Sequence, residues 1–188
     1  MKTLCDIPSG TELLVHICCA PDAAYGVCAI RERYDVTGFF YNPNIHPGEE
    51  FRKRLLATLA LLERDPFPLL VGSPDAGPWE VAVRGLEGEA EGGRRCEECI
   101  RLRLRVTAAK AVELGMLAFG TVLTVSPRKN AGMVNRVGRE EGEVAGIRFL
   151  EADLKKKDGY LKSVRASKAM GLYRQRYCGC RYSFREPV

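Results

Sequence analysis

Short apolar runs of strand length alternate along the chain with stretches whose apolar residues recur at helical spacing. The run ELLVHICC (12–19) ends in two cysteines. AAYGVCAIRERY follows with a helical period, and Pro21 and Asp22 supply start signals. DVTGFFYNPN (35–44) reads as a second strand ending in a turn, EEFRKRLLATLALLER (49–64) as an amphipathic helix, and FPLLVGS (67–73) as a third strand. A helix is predicted over 79–90, then a Gly-rich approach (88–95), then a long helix over 96–115. LAFGTVLTVSP (117–127) reads as a strand running into a Ser-Pro turn. NAGMVNRVGREEG (130–142) is a weaker helix with two interior glycines, IRFLEAD (147–153) a short strand, and SKAMGLYRQ (167–175) a short helix leading to CGC. Alternating strands and helices predict a single α/β domain with a mainly parallel sheet and a cysteine-rich helical C-terminal part. Ligands of such sheets bind outside the carboxyl ends of the strands. That rule brings Cys18 and Cys19, YNPN and TVSPRKN toward one crevice.

A length of 188 residues suits one domain, and neither a repeat nor an internal boundary interrupts it. Residues 1–11 are expected to form a flexible N-terminus. No apolar run is long enough to span a bilayer, and MKTLCDIPSG lacks the apolar stretch of a secretory signal. The expectation is a cytoplasmic protein with no membrane partner, in a compartment that keeps thiols reduced. The net charge of +5 is uneven. Residues 155–188 carry ten Lys/Arg against Asp158 and Glu186, so the remainder of the chain is net negative. A basic segment that also carries a cysteine pair points to a polyanionic partner, against the plainer reading of a solvated surface.

Six of the eight cysteines fall in tight pairs: Cys18–Cys19, Cys96–Cys99 and Cys178–Cys180. In a reducing compartment such pairs suggest metal binding or redox work before disulfides. Asp22 lies one helical turn from Cys18 and Cys19. Cys96 and Cys99 open a helix beside Arg94 and Arg95, which should lower their thiol pKa values. Six thiols and a carboxylate exceed the needs of one tetrahedral ion. An iron–sulfur cluster plus one further metal accounts for the total, with the harder carboxylate suited to the second metal. A CxxC pair alone is as compatible with structural zinc. Three pairs and a basic approach favour a redox metal. Cys28, mid-helix, reads as a buried small hydrophobe.

HICCAP, FFYNPNIHP, CEECIRLRL, TVSPRKN, GYLKS and SKAMGLYRQRYCGCRYS, in this order, resemble the epoxyqueuosine reductase QueH family from about Glu12 to Ser183. The resemblance implies a Rossmann-like (HUP-like) fold. It implies removal of the epoxide oxygen of epoxyqueuosine at the tRNA wobble position, without cobalamin. It also implies a 4Fe–4S cluster with an adjacent mononuclear iron, held by Cys18, Cys19, Asp22, Cys96, Cys99, Cys178 and Cys180. Making an alkene from an epoxide takes two electrons, so an external one-electron donor, ferredoxin-like or flavodoxin-like, is expected. The nucleic-acid partner would be tRNA carrying epoxyqueuosine, met at its anticodon stem-loop.

Around this constellation, Asp22, His16, Tyr41 and Tyr177 are the candidate catalytic residues, the last three as proton donors. A packed, hydrogen-bonded His16 is the plainer alternative. Asn42, Ser126, Arg128, Lys129, Tyr160, Lys162, Tyr173 and Arg174 are candidate substrate contacts, with Arg165, Lys168 and Arg176 as further phosphate contacts. Tyr160 and Tyr173 could stack on splayed bases. His46 and Asn44 read as turn residues, and Trp79 as core or partner surface. Two rivals remain. ATP-dependent tRNA thiolases share the expected architecture, but HICCAPDAAYG lacks their phosphate-cradling loop. A zinc-stabilised RNA-binding module without catalysis is the other.

Overall fold

The chain, described over residues 7–184 in a computed structural model, runs through β1 (Glu12–His16), α1 (Ala20–Arg31), β2 (Asp35–Phe40), α2 (Gly48–Leu62), β3 (Leu69–Val71), α3 (Gly77–Ala82), α4 (Arg94–Glu113), β4 (Ala118–Thr121), α5 (Ala131–Ala145), β5 (Arg148–Phe149) and α6 (Gly159–Ala169). Residues 1–6, and Cys5 with them, lie outside the described residues. Five parallel strands pair in the order β3-β2-β1-β4-β5. This is the doubly wound arrangement expected from the alternation, with β1 between β2 and β4. No helix among the described residues is long and apolar enough to cross a membrane.

β1 is apolar on both faces because both are covered. Leu13 and Val15 enter one core, packed with Val27 and Ile30 of α1 and Leu61 of α2. Leu14 enters the other, with Ile100 and Leu104 of α4, Val134 and Val137 of α5, Phe119 and Phe149. Each fully buried side chain of this size stabilises the fold by about 1.5–3 kcal/mol. The winding direction reverses between β1 and β4. The loops after these two strands therefore flank the crevice in which open sheets bind ligands.

Three expected elements differ in extent. The helix predicted over 79–90 is the single turn-and-a-half of α3, and the chain then turns through Gly85 at φ +78°. The fourth strand stops at Thr121, whose hydroxyl accepts from Leu123 N at 3.1 Å and turns the chain into a 3-10 segment, Leu123–Val125. The last helix lies earlier than 167–175. It ends at Ala169, with Gly171 at φ +63° and Leu172 N bonded to Ser167 O, and the chain up to the final cysteines is irregular. Cys28 is exposed rather than buried, because it sits on the outer side of α1.

The interior glycines of α5 are close-approach positions. A Cβ on Gly138 would meet the Phe149 ring at 2.4 Å. Packing of the Phe149 ring against the α5 backbone is thus gained at the expense of helix propensity. Gly138→Ala is expected to destabilise by about 1–3 kcal/mol through overpacking. The check is a denaturant titration, in which the midpoint falls with the slope unchanged; an unchanged midpoint would refute the close packing.

Candidate metal centre and basic cavity

Cys18 and Cys19 leave the end of β1, and Cys19 is the N-cap of α1. Asp22 lies in the helix's first turn. The Cys18 and Cys19 sulfurs are 3.7 Å apart, and Cys18 Sγ lies 3.5 Å from Asp22 Oδ2. Among the described residues, these three form the one group whose ligand atoms all lie within 4.8 Å of one another. That spacing fits a single ion.

Cys96 and Cys99 line a small cavity from the first two turns of α4, and Cys178 and Cys180 line it from the C-terminal segment. Four sulfurs around one tetrahedral zinc, at ~2.3 Å from the metal, would stand roughly 3.8 Å apart. These four share a cavity without converging to single-ion spacing. A multi-atom centre bound by soft thiolates fits that arrangement.

The C-terminal pair is seated by a buried arginine. Arg54 donates from Nη1 to Cys178 O and from Nη2 to Tyr177 O, each at 3.0 Å. Its Nε pairs with Glu50 at 2.7 Å. His46 N bonds Gly179 O at 2.7 Å. Gly179 has φ +119°, and a Cβ there would lie 3.1 Å from the Arg54 guanidinium, so glycine is required on both counts.

Beside this small cavity lies a larger one of about 150 Å³. The loop after β1 lines it with Cys18, Pro21 and Asp22, and the loop after β4 with Ser126, Arg128 and Lys129. Tyr160, Arg174, Arg176 and Tyr177 close the remaining sides. Cys178, Arg103 and Lys129 line both cavities. The four-cysteine group therefore adjoins the Cys18–Cys19–Asp22 group.

Burial weighs on the protonation of these side chains. The Cys18 thiol is pushed well up by its hydrogen bond to Cys19 and by burial. Burial also raises Cys99, overriding Arg103 and reversing the lowering expected at this helix start. Cys178 alone of the shifted thiols is lowered: burial opposes ionisation, but Lys129 and Arg103 outweigh it. Lys129 is half-buried as a residue, yet its ammonium points inward to Cys178 Sγ at 3.0 Å. Asp22 rises to about 6 through burial.

The other candidates separate into those at the cavity and those elsewhere. Ser126, Arg128, Lys129, Tyr160, Arg174, Arg176 and Tyr177 line it. The Tyr177 hydroxyl donates to His46 O, so its proton is already committed. His16 is fully buried between Thr121 Oγ1 (3.0 Å) and Tyr41 O (3.1 Å), and burial lowers its pKa to about 3. It is a neutral, packed histidine that ties strand ends together, not a proton donor facing the crevice. Tyr41 stacks on Phe39 away from the cavity lining. Asn42 donates to Ile17 O and supports the strand end. Lys162 lies over the Tyr25 ring, and Tyr173 donates to Glu50; neither lines the cavity. Sequence reasoning missed Arg54, Arg103 and Gln175, whose Nε2 donates to Cys19 Sγ at 3.0 Å. The signal for Arg103 was available: it follows Cys96 and Cys99 at helical spacings of seven and four.

The sequence profile of the epoxyqueuosine reductase QueH family matches residues 13–186. A protein of Streptococcus pyogenes serotype M1 named epoxyqueuosine reductase QueH is 40% identical over 180 residues, covering 92% of this chain and 70% of the relative. Its namesake in Thermotoga maritima is 37% identical, covering 93% and 91%. Among solved structures, a predicted subunit of tRNA methyltransferase from Methanocaldococcus jannaschii superposes with TM-score 0.53 at 11% identity, covering 81% of this chain and 76% of that one. The U34-tRNA thiolase NcsA from Methanococcus maripaludis, solved with its [4Fe-4S] cluster, gives TM-score 0.55 at 9% identity, covering 95% and 63%. At such identities the two structures share the fold with this chain.

In the metal-free protein a raised Asp22 pKa makes the folded state prefer the protonated acid. Its stabilising effect is full below the unfolded value near 3.8 and is lost as pH rises through about 6. Asp22→Asn is therefore expected to stabilise the metal-free protein at pH 7–8, by on the order of 3 kcal/mol, and to leave it unchanged below pH 4. Thermal melts of chelator-treated wild type and variant across this range measure it; a pH-independent difference would contradict the buried-carboxylate account.

Proposed function

The chain belongs to the epoxyqueuosine reductase QueH family, and from that premise we propose that it reduces epoxyqueuosine in tRNA to queuosine in the cytoplasm, without cobalamin. The observation that carries the reading is the division of seven donors into two adjoining groups: Cys96, Cys99, Cys178 and Cys180 around one cavity, and Cys18, Cys19 and Asp22 clustered together, with Cys18 and Asp22 on the wall of a neighbouring basic one. Four soft thiols spaced beyond a single ion suit a 4Fe–4S cluster; two thiols and a carboxylate at single-ion spacing suit a mononuclear iron. When bound, these groups would supply reducing equivalents and Lewis-acid polarisation of an oxygen.

The balance is that of an epoxide plus two electrons and two protons giving an alkene and water. An external one-electron donor, ferredoxin-like or flavodoxin-like, has to deliver the electrons one at a time. The chain's own residues do the rest. Lys129 and Arg103 put positive charge where the two cavities meet, suited to stabilise negative charge on a departing oxygen. Arg128 and Arg176 are exposed at the rim, suited to phosphates, and the half-exposed Tyr160 offers a face for an unstacked base. Gln175 holds Cys19 through its amide nitrogen and leaves its buried oxygen Oε1 unpartnered beside the substrate space, an acceptor for a sugar-like hydroxyl.

Anaerobic purification tests the reading. Wild type is expected to be brown, with inorganic sulfide and visible absorbance that bleaches on reduction. Cys96→Ala should lose sulfide and colour together; Asp22→Ala should keep both while losing about one iron per chain and the turnover of epoxyqueuosine. Zinc without sulfide after iron reconstitution would favour the non-catalytic RNA-binding alternative instead.

The rim makes a separate prediction. Arg128→Ala and Arg176→Ala should each weaken binding of an anticodon stem-loop regardless of its sequence, and reduce the slope of log affinity against log salt by about 1. A slope unchanged in both variants would remove the rim from the RNA path.

A further inference from the structure

Two donors on the wall of the four-cysteine cavity have no acceptor within hydrogen-bond distance. Trp79 is 1% exposed and Arg95 4% exposed. Both line that cavity, and both Trp79 Nε1 and Arg95 Nε are buried without a hydrogen-bond partner. An unpaired buried N–H costs about 1–3 kcal/mol, more for a charged group, so such groups are rarely left without purpose.

Neither side chain is free to turn away. Arg95 is held at its other end, where Nη1 donates to the carbonyls of Glu87 (2.7 Å) and Glu89, and its guanidinium lies 4.6 Å from the Tyr182 ring centroid. Trp79 packs with Val83, Cys99 and Cys180 in a small apolar cluster and tilts against Tyr182. Its indole N–H meets no acceptor at hydrogen-bond distance, yet lies near enough to Cys99 to favour the thiolate. The cavity that both side chains line holds no protein acceptor for either N–H.

The charge around the cavity has the same one-sidedness. Arg95, Arg103 and Lys129 all line it, and among the described residues none has a carboxylate within ion-pair distance. Unpaired cations in a buried setting call for an anion of matching charge. A 4Fe–4S core with four thiolates is a dianion when oxidised and a trianion when reduced.

We propose that Trp79 Nε1 and Arg95 Nε donate hydrogen bonds to sulfur atoms of an iron–sulfur cluster held by Cys96, Cys99, Cys178 and Cys180, and thereby set its reduction potential. The inference rests on the cluster reading given under Proposed function and adds which residues tune it. Hydrogen bonds to cluster sulfurs favour the more negative, reduced state, so removing one lowers the potential. Both residues are positioning residues: they reach the substrate only through the cluster.

Trp79 is the chain's only tryptophan, so an indole-¹⁵N label reports on this residue alone. Pulsed EPR of the labelled, dithionite-reduced holoprotein is expected to show a ¹⁵N coupling to the cluster spin. Trp79→Phe should abolish that coupling. Its iron and sulfide content should stay the same, and its midpoint potential should fall by enough to shift the one-electron equilibrium tenfold, about 59 mV. Arg95→Lys, which keeps the charge and removes Nε, should lower the potential in the same direction. A labelled wild type with a reduced cluster but no ¹⁵N coupling overturns the proposal, and so does a folded Trp79→Phe with an unchanged potential. If Trp79→Phe fails to fold, the labelled wild type decides. Absence of sulfide from wild type would overturn the cluster reading itself, and this inference with it.

Discussion

One buried guanidinium seats the segment that carries Cys178 and Cys180. The four-cysteine cavity is assembled from α4 and from a segment that follows the last helix without regular structure of its own. Such a segment loses conformational freedom without gaining a hydrogen-bond ladder in return. Arg54 supplies the compensation from α2. Its two terminal nitrogens capture the carbonyls of Tyr177 and Cys178, while Glu50 neutralises its charge at 2.7 Å and the Tyr173 hydroxyl holds the other Glu50 oxygen at 2.7 Å. At 2% exposure the arginine is almost wholly removed from water. Breaking such a pair from one side costs about 3–5 kcal/mol, because an uncompensated charge stays behind. Arg54 touches no sulfur, yet the position of Cys178 and Cys180 depends on it.

The same segment explains the electrostatic design. Burial works against thiolates and the Asp22 carboxylate alike, and without metal it keeps Cys18, Cys99 and Asp22 on the protonated side of their ordinary values. Cys178 escapes because Lys129 and Arg103 face it. Metal binding has to displace the remaining protons, so loading is coupled to pH. The fixed cations reduce that cost without adding carboxylates that would compete for metal. Gly92 N donates to Cys96 Sγ at 3.2 Å and Gln175 to Cys19 Sγ at 3.0 Å, so several sulfurs already have donors that hold their orientation.

The sheet was legible because its strands are short apolar runs with turn signals at their ends. The convergence of the loops after β1 and β4 followed from the topology such runs imply. The pairing of Cys18 with Asp22 was legible too, since one helical turn fixes it locally. Elements weakened by glycine were harder to bound: α5 looks interrupted at Gly138 and Gly142, and only the approach of the Phe149 ring to the first and of the Ile147 carbonyl to the second explains why those glycines belong inside a helix. The division of the cysteines was out of reach. CEEC and CGC lie some eighty residues apart, and nothing in either motif states which pair shares a cavity with which. The packed reading of His16, favoured over a catalytic one, is the one the structure shows, though its partners were not legible. Its spacing from Cys18 put it on the right strand, but both ring nitrogens are occupied by groups 25 and 105 residues away.

The fold alone would not have distinguished this chain from nucleotide-using relatives of the same architecture. The difference lies in what occupies the start of α1. In many α/β folds that position holds a glycine-rich cradle whose backbone N–H groups and helix dipole receive a phosphate. Here the same end of the first helix carries Cys19 as N-cap and Asp22 in the first turn, with Cys18 3.5 Å from the carboxylate. A helix N-terminus stabilises any nearby negative charge, thiolate and carboxylate included. At this helix end the chain places side chains that can hold a metal, where a phosphate loop would present backbone N–H groups.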